Sequence, residues 1–270
     1  MKNIKIQEVT IDKLSYTAVP LKILTKQGME LAICTGFIYK NLDKYYLITN
    51  WHCVTGKNSE TKEPIGKNGF VLPGEIEIPF LKTKNPISWI RYKYKLIDSE
   101  LNPLWLIHPN YKEKVDVIAL PITIPEGIII NNINEVPFDN YKALIADDIF
   151  ILGFPYNING TGNFPIWKRG SIATEPDIDY EQKPQILVDT ASRTGMSGAP
   201  VIFRRSGIHG IKNGELNDNS IFGEIENFVG IYSGRYKGDS EFDAQLGIVW
   251  KERVIKEIIN GGLVNQVSDI

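Results

Sequence analysis

The chain holds 270 residues, 43% hydrophobic, 23% charged and 10% aromatic, a composition that excludes wholesale disorder and allows one large domain or two small ones. With 30 Lys plus Arg against 32 Asp plus Glu, the formal net charge is −2; there is no basic excess to release counterions from a phosphate backbone, so nucleic acid is not an expected partner. Two cysteines and three histidines exclude a disulfide scaffold and leave little material for a four-ligand zinc site, so neither metal nor cofactor is expected. Near the N-terminus the longest apolar run, 21–24, is interrupted by Lys22. A signal peptide needs an apolar core of ~7–15 residues and a spanning helix ~20; the expectation is no membrane contact and a cytoplasmic location.

Helical periodicity is scarce along the chain. Short β-branched and aromatic runs recur between Gly, Pro, Asn and Asp clusters, the pattern of an all-β sandwich or barrel. Strands are predicted over 36–39, 45–49, 87–97, 105–108, 117–121, 148–153, 170–174, 186–190, 200–203, 228–233 and 245–249. Trp89, Arg91, Lys93 and Lys95 alternate with Ile90, Tyr92, Tyr94 and Leu96, as in a strand with one wet face. The one convincing helix spans 252–259, with Val254, Ile255, Ile258 and Ile259 on one face and Gly261-Gly262 as its stop. The stretch 131–140, rich in Asn, Pro and Asp, reads as the crossing between two halves, and the polar stretch 204–227 as a long surface loop.

Three segments carry chemistry. In chain order they are a strand running into His52, Asp116 opening an apolar strand, and Ser197 in the glycine-flanked turn Thr194-Gly195-Met196-Ser197-Gly198-Ala199-Pro200. A serine hydroxyl is a poor nucleophile until an imidazole takes its proton. The imidazole in turn needs an acceptor on its other nitrogen to fix its tautomer and stabilise its cation. Glycines around Ser197 let the amides of Gly195 and Ser197 point at one spot, where a tetrahedral oxyanion can be held. Each segment alone is commonplace; the order His, Asp, Ser on an all-β background is specific. His108 and His209 lack ligand spacing relative to His52 and Cys53, which weighs against a metal hydrolase.

These segments resemble the chymotrypsin-like (trypsin-fold) serine peptidases, and most closely the bacterial branch that includes HtrA-type proteases. Leu47-Ile48-Thr49-Asn50-Trp51-His52-Cys53-Val54 is similar to the family's histidine motif, and Asp116-Val117-Ile118-Ala119-Leu120 to its aspartate motif. Gly153-Phe154-Pro155, with Gly170-Ser171-Ile172, matches a pairing common in that branch, and 189–200 aligns with the serine motif without gaps. The resemblance implies two six-stranded antiparallel β-barrels with a C-terminal helix: 1–130 carrying His52 and Asp116, 141–250 carrying Ser197, and 251–262 closing one peptidase domain. It implies a protein or peptide substrate, paired along Tyr232, Ser233 and Gly234. Ala191 then lies at the base of the primary pocket with Gly234 and Gly247 on its walls, favouring a small or apolar residue before the scissile bond. Asp239, Glu241 and Asp243 are either a solvated loop or a partner for a basic residue there. No segment follows Ile270 for a PDZ domain, and Met196 replaces the aspartate that pairs with a new N-terminus after zymogen cleavage. The implied enzyme is therefore a bare protease domain, cleaving few targets under control of a regulatory protein, with 204–227 as gate or docking site. The runner-up is a catalytically silent member that binds peptides. Many secreted relatives carry a disulfide at the positions of Cys34 and Cys53, whereas a cytoplasmic chain keeps such thiols reduced; both states stay open from sequence.

Overall fold

Alternation along the strands decides which core each side chain enters. The structure, a computed structural model, describes residues 10–65, 71–158, 162–191, 194–211, 213–218, 220–236 and 245–265. Its strands are β1 (Ala18–Leu24), β2 (Glu30–Asn41), β3 (Lys44–Thr49), β4 (Glu75–Lys84), β5 (Ile87–Lys95), β6 (Leu106–Ile107), β7 (Ile118–Ile122), β8 (Asp148–Gly153), β9 (Ile166–Ile172), β10 (Gln185–Asp189), β11 (Pro200–His209), β12 (Ile221–Arg235), β13 (Leu246–Lys251) and β14 (Leu263–Val264). A short helix α1 (Trp51–Thr55) follows β3, and α2 (Arg253–Gly261) follows β13.

Two sheets form, as a chymotrypsin-like double barrel requires. The second is a closed six-stranded barrel in the order β10-β13-β12-β11-β8-β9. The first has eight strands rather than six, in the order β14-β6-β7-β3-β2-β1-β4-β5. The excess comes from the two-residue strands β6 and β14, the latter returning from beyond α2 to pair Leu263 with Ile107. Between β7 and β8 the crossing contains a single 3-10 turn, Ile133–Glu135.

Because successive side chains on a strand point to opposite faces, each strand feeds two cores. In β8, Ile149 and Ile151 enter the second barrel's interior with Ile172, Val188, Val201 and Val249. Leu152 on the opposite face joins Phe37, Ile48, Phe228 and Trp250 in a seam between the sheets. Leu47, Ile76, Phe80, Trp105 and Leu120 fill the first sheet's own core. Helix α2 inserts Val254, Ile255 and Ile258 into the seam, an upper estimate of about 1.5–3 kcal/mol for each side chain removed from water.

One expectation is corrected. The stretch 204–227 is largely a β-hairpin, with Arg204 opposite Glu226 and His209 opposite Ile221. It is polar because the ribbon projects from the barrel with much of its surface wet, and cross-strand charge takes the place of apolar alternation. Arg204 Nη2 bonds Glu226 Oε2 at 2.6 Å and Asp12 Oδ2 at 3.0 Å, and Arg205 Nε bonds Asp147 Oδ1 at 2.8 Å. His209, read as a loop residue, ends β11 and is buried.

Candidate active site

His52 sits in α1 directly after Trp51, at the point where β3 ends. The preceding Asn50 does not cap the helix; its Nδ2 donates to the Asp116 carbonyl at 2.7 Å. The Asp116 carboxylate then receives the His52 amide on Oδ1 at 2.9 Å and His52 Nδ1 on Oδ2 at 2.6 Å. A carboxylate only accepts, so the proton lies on Nδ1 and Nε2 is left as the basic nitrogen. Ser233 Oγ donates to the same Oδ2 at 2.5 Å. Asp116 is 6% exposed and His52 19%. Burial presses the His52 pKa down, but the charge of Asp116 and its hydrogen bond outweigh burial, and the net value lies above that of an ordinary imidazole.

Ser197 stands in a turn that two glycines make possible. Gly195 and Gly198 adopt φ of +95° and +84°, and a Cβ at 198 would stand 2.0 Å from the Thr35 carbonyl oxygen. No other residue type fits that approach. The carbonyls from Thr194 to Ser197 are all engaged. Thr194 O accepts from the Tyr156 amide at 2.9 Å, Met196 O from the Ala199 amide at 3.1 Å, and Ser197 O from the Thr35 amide at 2.8 Å. Gly195 O accepts from Thr35 Oγ1 at 2.7 Å. The amides of Gly195 and Ser197 have no hydrogen-bond partner among the described residues. Across a trans peptide the N–H points opposite to its carbonyl, so tying Thr194 O and Met196 O turns those two amides the other way. Met196 itself is buried in the second barrel's core.

The Ser197 hydroxyl donates to the Ser233 carbonyl at 3.1 Å rather than to His52. Both side chains line two clefts. One, of about 560 Å³, is lined by Ser233, Gly234 and Arg235 together with Glu60, Lys114 and Glu181. The second, of about 650 Å³, shares His52, Ile65 and Ser197 with the first and extends past Gly195, Cys34 and Cys53 to Met29, Leu31 and Val71. In it Met29 is 62% exposed and Ile65 57%.

Of the expected substrate-binding residues, Ser233 and Gly234 reach the cleft. The Tyr232 side chain does not: it is buried in the second barrel's core, where a Cβ on Gly247 would stand 2.6 Å from its ring. Ala191 is exposed after β10, while Asp239, Glu241 and Asp243 lie outside the described residues. Cys34 and Cys53 form a disulfide that ties α1 to β2. The other histidines are engaged elsewhere, His108 with Glu257 and His209 with the Gly223 carbonyl.

Sequence reading missed three supports of the site. Thr35 bonds the serine turn through both its amide and its hydroxyl. Ser233, expected only on the substrate strand, also holds Asp116. Asn265 Oδ1 accepts from the Trp51 indole at 2.7 Å and the Trp105 indole at 3.2 Å, fixing the residue before His52 from the far end of the chain. The only signal for Thr35 was a hydroxyl residue directly before the predicted strand 36–39; for Asn265 there was none.

A double barrel with histidine, aspartate and serine gathered beside its seam defines the class of chymotrypsin-like serine proteases. Residues 34–211 match the family described as trypsin-like peptidase domain, and the chain belongs to that family. No curated protein matches the chain. Among solved structures it is similar to a serine endoprotease from Yersinia pestis, at 15% identity and a TM-score of 0.51 over 94% of this chain and 70% of that one. It is also similar to a Mycobacterium tuberculosis protease in its active form, at 18% identity and a TM-score of 0.44 over 93% and 83% of the two chains. The protease Anisep from Arthrobacter nicotinovorans matches at 14% identity and a TM-score of 0.46 over 91% and 94%. The protein is a trypsin-like serine protease. Among the described residues no helix is long and apolar enough to cross a membrane.

Proposed function

We propose that the protein is a serine endopeptidase in which Ser197 is the nucleophile, His52 the general base and acid, and Asp116 the group that orients His52. Ser197 Oγ attacks the scissile carbonyl carbon while His52 Nε2 takes its proton; the oxyanion is held by the amides of Gly195 and Ser197. The carbon–nitrogen bond breaks as His52 returns the proton to the leaving amine. Water, deprotonated by the same nitrogen, then hydrolyses the acyl-enzyme. The observation that carries this reading is the meeting of His52, fixed by Asp116, with Ser197 at the junction of two clefts. A chain accommodated on both sides of the nucleophile supports cleavage within a polypeptide rather than at its end. In this reading 1–130 and 141–250 act as the two halves of one peptidase domain closed by 251–262, no metal, cofactor, nucleic acid or membrane takes part, and Ala191, Gly234 and Gly247 shape the primary pocket.

Selective cleavage of few targets under a regulatory protein belongs to the same proposal. Ile208, Leu216 and Phe222, exposed on the β11–β12 hairpin, support a docking role for its tip. Deleting the tip should abolish regulator dependence, and unchanged regulation sinks that part. On location, the Cys34–Cys53 disulfide favours an oxidising compartment over the cytoplasm expected from sequence. Counting thiols in protein taken from its own cells tests this, and two free thiols would restore the cytoplasm.

The second reading, a silent peptide-binding module, draws on the Ser197 hydroxyl bonding Ser233 O instead of His52. Free enzymes often show such loose geometry before substrate binds. Labelling by a fluorophosphonate probe separates the readings. An adduct lost in Ser197→Ala supports the peptidase, and a folded protein that never labels supports the module.

A further inference from the structure

We propose that Thr35 is the positioning residue of the oxyanion site, and that strand β2 of the first sheet thereby sets the catalytic geometry of the serine turn in the second; this rests on Ser197 being the nucleophile. Thr35 is wholly buried and lies opposite Pro20 of β1 in the sheet. Its amide and hydroxyl both turn away from β1 toward the serine turn. The hydroxyl donates to Gly195 O at 2.7 Å and accepts from the Phe154 amide at 3.2 Å, while the amide donates to Ser197 O at 2.8 Å. One residue therefore fixes the Gly195–Met196 peptide, which joins the two oxyanion amides, and the Ser197–Gly198 peptide, which follows the second of them.

The chemistry explains why a hydroxyl is needed. An oxyanion hole works only when its donors are already aimed, since reorientation during the reaction costs the stabilisation it supplies. Gly195 is the residue most free to turn, with no side chain to restrain it. A Cβ there would stand 2.4 Å from the Phe154 carbonyl oxygen, so the turn cannot be stiffened by replacing the glycine. Restraint has to come from outside, and the Thr35 hydroxyl supplies it at the Gly195 carbonyl. Without it that carbonyl and the Phe154 amide are both buried without a partner, and the peptide can rotate to seek one. Thr35 forms no hydrogen bond with His52 or Asp116, so its removal should leave their titration alone.

The test measures the second-order rate of fluorophosphonate labelling against pH in the full chain. In this reaction Ser197 Oγ displaces fluoride from phosphorus, and the phosphoryl oxygen takes up charge where a peptide oxyanion would. Thr35→Val is expected to label about 30-fold more slowly at the plateau, below the ~10²–10³-fold cost of losing a donor outright, with the acid limb at the same pH. Thr35→Ser, which keeps the hydroxyl, should recover to within about threefold of wild type. Thr17→Val is the matched control, because Thr17 is also buried and donates to a carbonyl, Leu14 O, at 2.8 Å away from the site; it should label at the wild-type rate. Should Thr35→Val fail to fold, Thr35→Ala carries the same measurement. A wild-type plateau rate in the folded Val or Ala variant overturns the proposal, as does an acid limb that moves with the plateau. If wild type does not label, or Ser197→Ala still does, the peptidase reading falls and the role of Thr35 falls with it.

Discussion

Replacing Asp116 by asparagine tests the heart of the site, because the bonding around its carboxylate decides which way an amide must sit. Oδ1 faces a donor with no alternative, the His52 amide at 2.9 Å, while Oδ2 faces His52 Nδ1 at 2.6 Å and the Ser233 hydroxyl at 2.5 Å. An asparagine keeps its oxygen toward the His52 amide, since the opposite rotamer sets two donors against each other. Its NH₂ then occupies the Oδ2 position and donates to Nδ1, and Ser233 reverses its hydroxyl to accept. His52 is forced to carry its proton on Nε2 and can no longer take one from Ser197. A loss of that kind costs about 10⁴-fold in kcat, which at about 1.36 kcal/mol per decade is about 5.4 kcal/mol of barrier. The fold should survive, because every bond to the side chain is remade. The assay is the fluorophosphonate labelling rate across pH, with the His52 ring followed by NMR. With the Asp116 charge gone only burial acts on His52, so its pKa should fall below the usual imidazole value of about 6.5. A folded Asp116→Asn protein that labels within tenfold of wild type would refute the assignment of the tautomer.

Other consequences follow from the same geometry. In wild type, activity should rise with pH through a His52 value above 6.5, because the neutral ring is the base, and an acid limb centred below 6.5 in the kcat/KM profile would contradict it. Stability runs the other way: the raised folded pKa stabilises the protein fully below the unfolded value of about 6.5, and this contribution is lost as pH rises through the folded value, which denaturant titration of wild type and His52→Gln should resolve. Gly198→Ala drives a Cβ to 2.0 Å from Thr35 O at φ +84° and should cost about 3 kcal/mol or more, a fall in Tm of roughly 6–12 °C by calorimetry; an unchanged Tm would mean the turn is looser than described. Cys34→Ser with Cys53→Ser opens a loop of sequence separation 19 and should lower stability by roughly 3 kcal/mol, a loss that reductant should reproduce in wild type and leave unchanged in the variant. A peptide-library cleavage profile should favour apolar residues just after the cut, and Met29→Asp, which alters only the apolar cleft, should cut that preference by about tenfold; a flat profile there would remove the apolar cleft from substrate binding.

The site was legible where chemistry is carried by short contiguous motifs. His52, Asp116 and Ser197 each announce themselves through neighbours a few residues away, and the structure brings the first two into contact with Ser197 beside them. What stayed hidden was set by distant partners. Strands β1 and β4 were missed because Pro20 and Pro79 argue against strand interiors. The pairing resolves this: β1 and β4 meet only at Lys22–Glu77, Ile23–Ile76 and Leu24–Glu75, so both prolines lie beyond the stretch they share. The β11–β12 hairpin was concealed by charge, since Arg204 and Glu226 look like loop residues until they stand opposite each other. The core role of the Tyr232 side chain was likewise hidden: alternation about Ser233 sends it to the other face, which leaves only its main chain for the expected pairing with substrate.

Asn265 gives the return of the chain to the first sheet a bearing on how the protein is made. The indole beside His52 gains its hydrogen-bond acceptor only when residue 265 arrives, after both sheets and α2 have been synthesised. A nascent chain that has emerged as far as Ser197 holds every reacting group, yet the helix bearing its base still lacks this anchor. The helix that carries the base is thus closed by a residue 214 positions from the indole it holds, and this closure requires that α2 and β14 have formed first.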